Sequence, residues 1–369
     1  MTIASIEKVI TFLVMLSILV VLHEYGHFII ARRNGVRVNE FAVGMGPKLL
    51  GWTSKRTGTL YSVRALPIGG YCAMQGEDGK SSEAEQQREF RDRHKYDPDN
   101  FQAKSPWQRL AIVLAGPVAN FILAFVILVV SALAFGVVGD KPTATVGEVK
   151  AGYPASTIGM TVGDKILSIN GKPVADGLQV VNTMHSSLGK RLDVVFQHNG
   201  TRRESFVTPV QCAPGLKQGC IGISPVNAYT KVSPAEALRV ASLEFVGIAD
   251  QTVGTLGLLV MHFTQYAGQV SGVIGMGQAA TVVQDFGWGP YLTLAATISF
   301  ALGLFNLLPI PALDGGRAAF ILAELVRGRP VDPEKEAMVH IAGFAALMAL
   351  MVLVAFHDIA RIVSGKGVF

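Results

Sequence analysis

The chain has 369 residues, half of them hydrophobic and only 16% charged, with a mean hydropathy of +0.40. Soluble domains carry about a quarter charged residues, so a wholly soluble globule is excluded and membrane spans are the first thing to seek. The net charge of +5 is carried by loops and is read as a topology signal, with no nucleic acid as partner.

Four segments are predicted to span a bilayer, which needs about 20 apolar residues in a helix. The first begins near Ile10, runs uncharged to Leu22 and continues into His23-Glu24-Tyr25-Gly26-His27. Lys8 precedes it as in a signal peptide, but no small-residue cleavage site follows, so an uncleaved helix is expected. The region 31–106 comes next. Its stretch Phe41–Met74 alternates apolar and polar residues and is broken by Gly44, Gly46, Gly51, Gly58, Gly69 and Gly70. That pattern predicts short strands and turns, and the charged residues 77–100 predict a solvated loop. The second span is the uncharged run Leu110–Val138.

Residues 141–226 are the only block with soluble character, with Val and Ile alternating against polar residues and Gly and Pro at the turns. A small β-rich domain is expected there. Cys212 and Cys220 bracket its last part, and the spacing fits either a disulfide in an oxidising compartment or two thiols. Residues 232–265 read as a helix capped by Ser233 with Pro234 at its first position. Glu244 and Asp250 interrupt its apolar run, so it is expected to lie amphipathically on the outer surface, within a linker at 227–285. The third span is the uncharged run Phe286–Leu313, and the fourth covers roughly Ala337–Phe356.

Basic loops set the orientation. Residues 31–106 hold thirteen Lys and Arg, against Lys8 alone before the first span. That loop is expected inside, with 139–285 outside and 314–336 inside with Arg317, Arg327 and Arg329.

His23 and His27 lie four apart, on one helix face, so both imidazoles can reach one Zn²⁺. Glu24 sits about 100° round the helix, placed to act on water as a general base without being a ligand. Three ionisable groups inside a span cost a few kcal/mol each, and a metal compensates them directly. A catalytic zinc takes three protein ligands and leaves one position open. Asp314, at the end of the third span in Asn306–Gly316, is the candidate third ligand, because that span and the first reach the same side near Asp314 and His27. The alternative for Asp314 is a helix-end pair with Arg317. Asn306, read as lying deeper in the same span, is a candidate to bind the substrate carbonyl or oxyanion; helix–helix hydrogen bonding is its alternative. His340 and His357 are read as structural.

HEYGH together with NLLPIPALDGG resembles the site-2 protease family, the intramembrane zinc metalloproteases, in its bacterial RseP-type branch. FQAKSPWQRLAIVLAGPVANFILA (Phe101–Ala124) resembles its second span, and LPIGGYCAM (Leu66–Met74) resembles the end of its membrane-associated β-hairpin. The resemblance implies His23, His27 and Asp314 as zinc ligands, Glu24 as general base and Asn306 as a substrate-binding residue. Gly152–Val174 resembles a bacterial PDZ domain, with Gly163, Asp164, Asn170 and Gly171 at its turns. The chain has room for one such domain where some relatives have two, and Val273 stands in SGVIGM where proline is expected.

The expected fold is therefore a polytopic α-helical membrane protein with four transmembrane helices, a membrane-associated β-hairpin region and an inserted β-rich PDZ domain. Residues 1–140 would form the N-terminal membrane core, 141–226 the PDZ domain and 286–369 the C-terminal membrane core. By resemblance, the expected activity is zinc-dependent cleavage of single-pass membrane proteins already shortened by another protease, such as anti-sigma factors or remnant signal peptides. The location implied is the bacterial cytoplasmic (inner) membrane, with the PDZ domain outside and the active site near the cytoplasmic face. Two other classes compete. A transporter would also keep ionisable residues in the membrane but should show inverted repeats. A PDZ scaffold would leave the His23–His27 and Asp314 set unexplained.

Overall fold

The computed structural model describes residues 3–77, 97–212, 217–262, 265, 272–329 and 331–364. The charged loop expected at 77–100 lies mostly outside them, as does His94. The chain divides into two compact units, one of residues 1–130, 241–284 and 290–369 and the other of 131–240 and 285–289.

The first unit opens with α1 (Ile3–Arg33), then β1 (Val38–Thr53) and β2 (Leu60–Met74), and α2 (Pro106–Phe135). β1 and β2 pair with each other, yet their register shows that both fold back. Residues 38–43 pair antiparallel with 70–74 on one side, and 40–43 run alongside 60–63 on the other. Residues 48–53 then pair antiparallel with 60–64. Two long strands thus make a sheet four segments wide, ordered 70–74, 38–43, 60–63, 48–53. Gly44 and Gly46 sit at φ +84° and +82° at the fold in β1, and Gly69 at +79° at the fold in β2, a region most side chains avoid. The expected hairpin is present, bent into a wider sheet.

A polar hub ties three of these segments together. Glu40 accepts from Ser62 and Arg64 through one carboxylate oxygen and from Tyr71 at 2.7 Å through the other. Burial pushes the Glu40 carboxyl up, but those three donors outweigh it and hold it below the ordinary range. Burial and the bond to Glu40 push the Tyr71 phenol up to about 12. A depressed carboxylate stabilises the fold above its ordinary range, near 4.5, and loses that contribution as pH falls through the depressed value. Amide protection in 70–74, taken relative to the intrinsic exchange rate at each pH, should therefore fall at acid pH in the wild type and be low already at neutral pH in Glu40→Gln.

After the second unit the first resumes with α5, then α6 (Val273–Val283), α7 (Trp288–Asn306), α8 (Asp314–Arg327) and α9 (Pro333–Val363). α5 runs Pro234–Met261. Five helices among the described residues, α1, α2, α5, α7 and α9, are long and apolar enough to cross a membrane. The fifth, α5, is the helix expected to lie on the surface. Its Ala241, Phe245 and Ile248, spaced as a single helical face, pack with Ala124 and Leu128 of α2 and Ala296 and Phe300 of α7.

The third span ends earlier than its uncharged run. α7 stops at Asn306, residues 307–313 turn, and Asp314 opens the separate short helix α8. Pro309 and Pro311 explain the break, since proline supplies no N–H and disfavours helix in the residue before it. Asn306 is accordingly the last residue of α7. A second core joins the end of α1, the sheet, α2 and α8 through Ala31, Val38, Cys72, Ile112, Val113 and Ile321. Cys72 is a free, buried thiol.

The second unit is a sheet with strand order β10-β3-β4-β6-β7 and a short β5 on β4. Its strands are β3 (Val137–Val149), β4 (Lys165–Ile169), β5 (Lys172–Pro173), β6 (Leu192–His198), β7 (Thr201–Val207) and β10 (Ile223–Thr230). α3 (Pro154–Thr157) and α4 (Gly177–His185) complete it. The core gathers Val146, Ile166, Val180, Val194, Phe196 and Ile221. A small hairpin of β8 (Val210–Gln211) and β9 (Gly219–Cys220) lies at residues 210–220, closed by a Cys212–Cys220 disulfide, which resolves the open reading of that pair.

Candidate metal centre

Three predicted site residues converge. His23 Nε2 and His27 Nε2 lie 3.1 Å and 3.3 Å from Asp314 Oδ2 and 3.3 Å from each other. A tetrahedral metal with bonds of about 2.0–2.1 Å has donor–donor edges of about 3.3 Å. The three atoms therefore form one face of a tetrahedron of zinc size. Both histidines are buried, and Asp314 Oδ2 is a buried atom with no hydrogen-bond partner. An uncompensated carboxylate oxygen facing two imidazoles is costly, and a divalent cation removes that cost. The donor set fits zinc.

Each imidazole is held from behind, as metal-bound histidines require. His27 Nδ1 lies 2.8 Å from the Ile112 carbonyl of α2, to which it donates when Nε2 is a ligand. His23 Nδ1 lies 3.1 Å from Asn120 Nδ2. With Nε2 on a metal, Nδ1 carries the proton, and the amide, turned by 180°, would present its now unpartnered oxygen to it. Asn120 is itself fully buried.

Gly116 lets α2 come this close. A Cβ there would sit 2.2 Å from His27 Nε2 and 2.8 Å from His23 Cε1. On α1, a Cβ at Gly26 would meet the Ala115 carbonyl oxygen at 2.4 Å. Sequence reasoning missed Gly116 and Asn120. The signal was a glycine and a lone amide four apart in an uncharged span, which puts both on one helix face.

Asp314 reaches the histidines because α8 is pinned in place. Arg109 of α2 pairs with Glu324 of α8 at 2.6 Å, both side chains 5% exposed. Removing one partner of a buried pair costs about 3–5 kcal/mol. Glu324→Ala should destabilise the fold by that order and reduce bound zinc, and replacing both partners with apolar residues should recover part of the loss; thermal unfolding in detergent measures both. Arg317, the alternative partner for Asp314, forms its ion pair with Glu77. Before α8, Ala312 is forced to φ +79°. His340 of α9 accepts its N–H at 2.9 Å and so braces the turn that delivers Asp314.

Glu24 does not join the three donors. It lines a cavity of about 660 Å³ with His27, Asp314, Tyr71, Met74 and Arg317. Residues 71–74 border that cavity, and among the described residues their segment, 70–74, pairs with β1 on one side only. Asn306 is not gathered into the centre. Its side-chain amide bonds the Leu302 carbonyl of its own helix at 3.0 Å.

The profile of peptidase family M50 matches residues 11–350. The chain belongs to that family, the site-2 proteases. It is 31% identical over 422 residues to the zinc metalloprotease RasP of Geobacillus kaustophilus, with 97% of this chain and 99% of that one covered. It is 30% identical over 425 residues to the regulator of sigma-W protease RasP of Bacillus subtilis, with the same coverage. A Clostridium acetobutylicum protein provisionally named a zinc metalloprotease is 36% identical over 342 residues, covering 93% and 94%. The family member described here is a zinc metalloprotease, and zinc is its cofactor. A solved PDZ domain of a Listeria monocytogenes protein is 22% identical, with TM-score 0.21, over 24% of this chain and 94% of its own. That likeness is too slight to rest an assignment on.

Proposed function

We propose that this chain is an intramembrane protease that cuts membrane-embedded segments of single-pass proteins, with zinc held by His23, His27 and Asp314. The observation that carries this reading is the trio of donor atoms at 3.1–3.3 Å on helices apolar enough to span a bilayer. When bound, zinc polarises a peptide carbonyl and makes water more acidic.

Glu24 then takes a proton from water and passes it to the departing amide nitrogen. A helical substrate hides its carbonyls in hydrogen bonds, so it must be extended to be cut. The unpaired edge of 70–74 beside Glu24 suits that task, adding the substrate as a further strand. Tyr71, fixed by Glu40, holds the side of the cavity. Asn306 remains the candidate for the substrate carbonyl, although in this conformation its amide turns to Leu302.

The basic content of 31–106 supports a cytoplasmic position for that loop and for the site, with the β-rich unit outside the bacterial inner membrane. By resemblance that unit is a single PDZ domain screening substrates trimmed by an earlier protease. The sigma-W regulator among the relatives makes an anti-sigma factor the substrate class to try first. Co-expressing such a substrate, trimmed outside, with wild type and with Glu24→Gln tests the reading. It predicts a cut inside the membrane segment for wild type alone; equal fragments from both would reject it.

A further inference from the structure

The second unit holds another group of metal-ligating side chains, apart from the catalytic set. His185 ends α4, Cys212 follows β8 and Cys220 lies in β9. One donor atom from each lies within 4.8 Å of the others. In the structure the two sulfurs are bonded to each other. We propose that His185, Cys212 and Cys220 form a second metal site, closed as the disulfide and opened by reduction, that takes a thiophilic divalent ion such as Zn²⁺.

The backbone assembles the group without help from the S–S bond. Val210 pairs with Cys220 and Gln211 with Gly219, and the Cys212 N–H donates to the Gln218 carbonyl at 3.1 Å. The helix end is pressed onto this hairpin. A Cβ at Gly219 would meet the Met184 carbonyl oxygen at 2.6 Å and Leu188 Cα at 2.9 Å. Breaking the disulfide therefore leaves His185 against both cysteines. The two Cα atoms are 5.0 Å apart, and two thiolates on one tetrahedral ion sit about 3.8 Å apart. Side-chain rotation alone spans that difference. Two thiolates and one imidazole are a soft donor set that prefers zinc-group ions to calcium or magnesium.

The chemistry balances with a dithiol reductant. The dithiol gives two electrons and two protons, ending as its own disulfide, and leaves two cysteine thiols. A divalent ion then binds as both thiols lose their protons.

Cadmium reports the site independently of the catalytic centre, because only thiolate ligands give its near-ultraviolet charge-transfer band and the catalytic set has no sulfur. The full chain in detergent is reduced with dithiothreitol, freed of reductant without air and titrated with Cd²⁺. The band should saturate at one equivalent, be absent from the oxidised protein and vanish in Cys212→Ala. His185→Ala and His185→Asn should each weaken binding at least tenfold. No band in the reduced protein, a band kept by Cys212→Ala, or unchanged affinity in either His185 variant overturns the proposal.

Discussion

Glu24→Gln is expected to abolish proteolysis while leaving one zinc per chain. Glutamine keeps the shape and polarity of glutamate but cannot accept a proton from water. A positioned general base contributes about 10²–10⁴-fold, so kcat should fall by at least two orders of magnitude. Glu24 is outside the trio of donors, His23, His27 and Asp314, that lie 3.1–3.3 Å apart. Zinc content by mass spectrometry and cleavage rate, measured on one preparation, separate the two effects. Loss of zinc in this variant would make Glu24 a ligand, and retained cleavage would assign the base elsewhere.

The second large effect is expected from a methyl group. Gly116→Ala places a Cβ 2.2 Å from His27 Nε2 and 2.6 Å from Cε1, short of ordinary contact by more than 1 Å. Neither partner can give way cheaply. His27 is buried and bonded to the Ile112 carbonyl, and α2 is fixed to α8 by Arg109 and Glu324. The imidazole must leave its place, and a misplacement of about 1 Å costs about 10²-fold in rate. Bound zinc and activity should both drop, the first distinguishing this variant from Glu24→Gln. Gly254→Ala is the control, since nothing lies within 4 Å of a Cβ there, and helix propensity alone should make it neutral or stabilising by about 0.5–1 kcal/mol. Zinc-replete, fully active Gly116→Ala would mean that the α1–α2 approach is looser than described.

How much of this was legible in the sequence follows from what each residue is. His23, Glu24 and His27 announce themselves because a helical period puts charged groups where lipid forbids them. Asp314 follows from counting ligands and from the shared end of two spans. Its setting was less legible. In an uncharged run of 28 residues Pro309 and Pro311 announce a helix break, but only the fold shows that α7 already ends at Asn306 and that Asp314 starts a new helix. Gly116 and Asn120 were silent because neither carries charge. Their meaning is the space left empty and the proton accepted, and both need the partner helix. Glycines marked the turns of Phe41–Met74, but the doubling of two strands into four segments depends on which edges meet. The apolar run of α5, interrupted by Glu244 and Asp250, was visible, whereas its packing partners on α2 and α7 were not.

In the proposed site, α1 and the turn before α8 close on a single ion against α2. Metal analysis with X-ray absorption on the oxidised full chain tests this most directly, in wild type and in Asp314→Ala. One zinc per chain in a shell of nitrogen and oxygen only, lost from the variant, is the predicted result. A sulfur in the wild-type shell, or full zinc in Asp314→Ala, would contradict it.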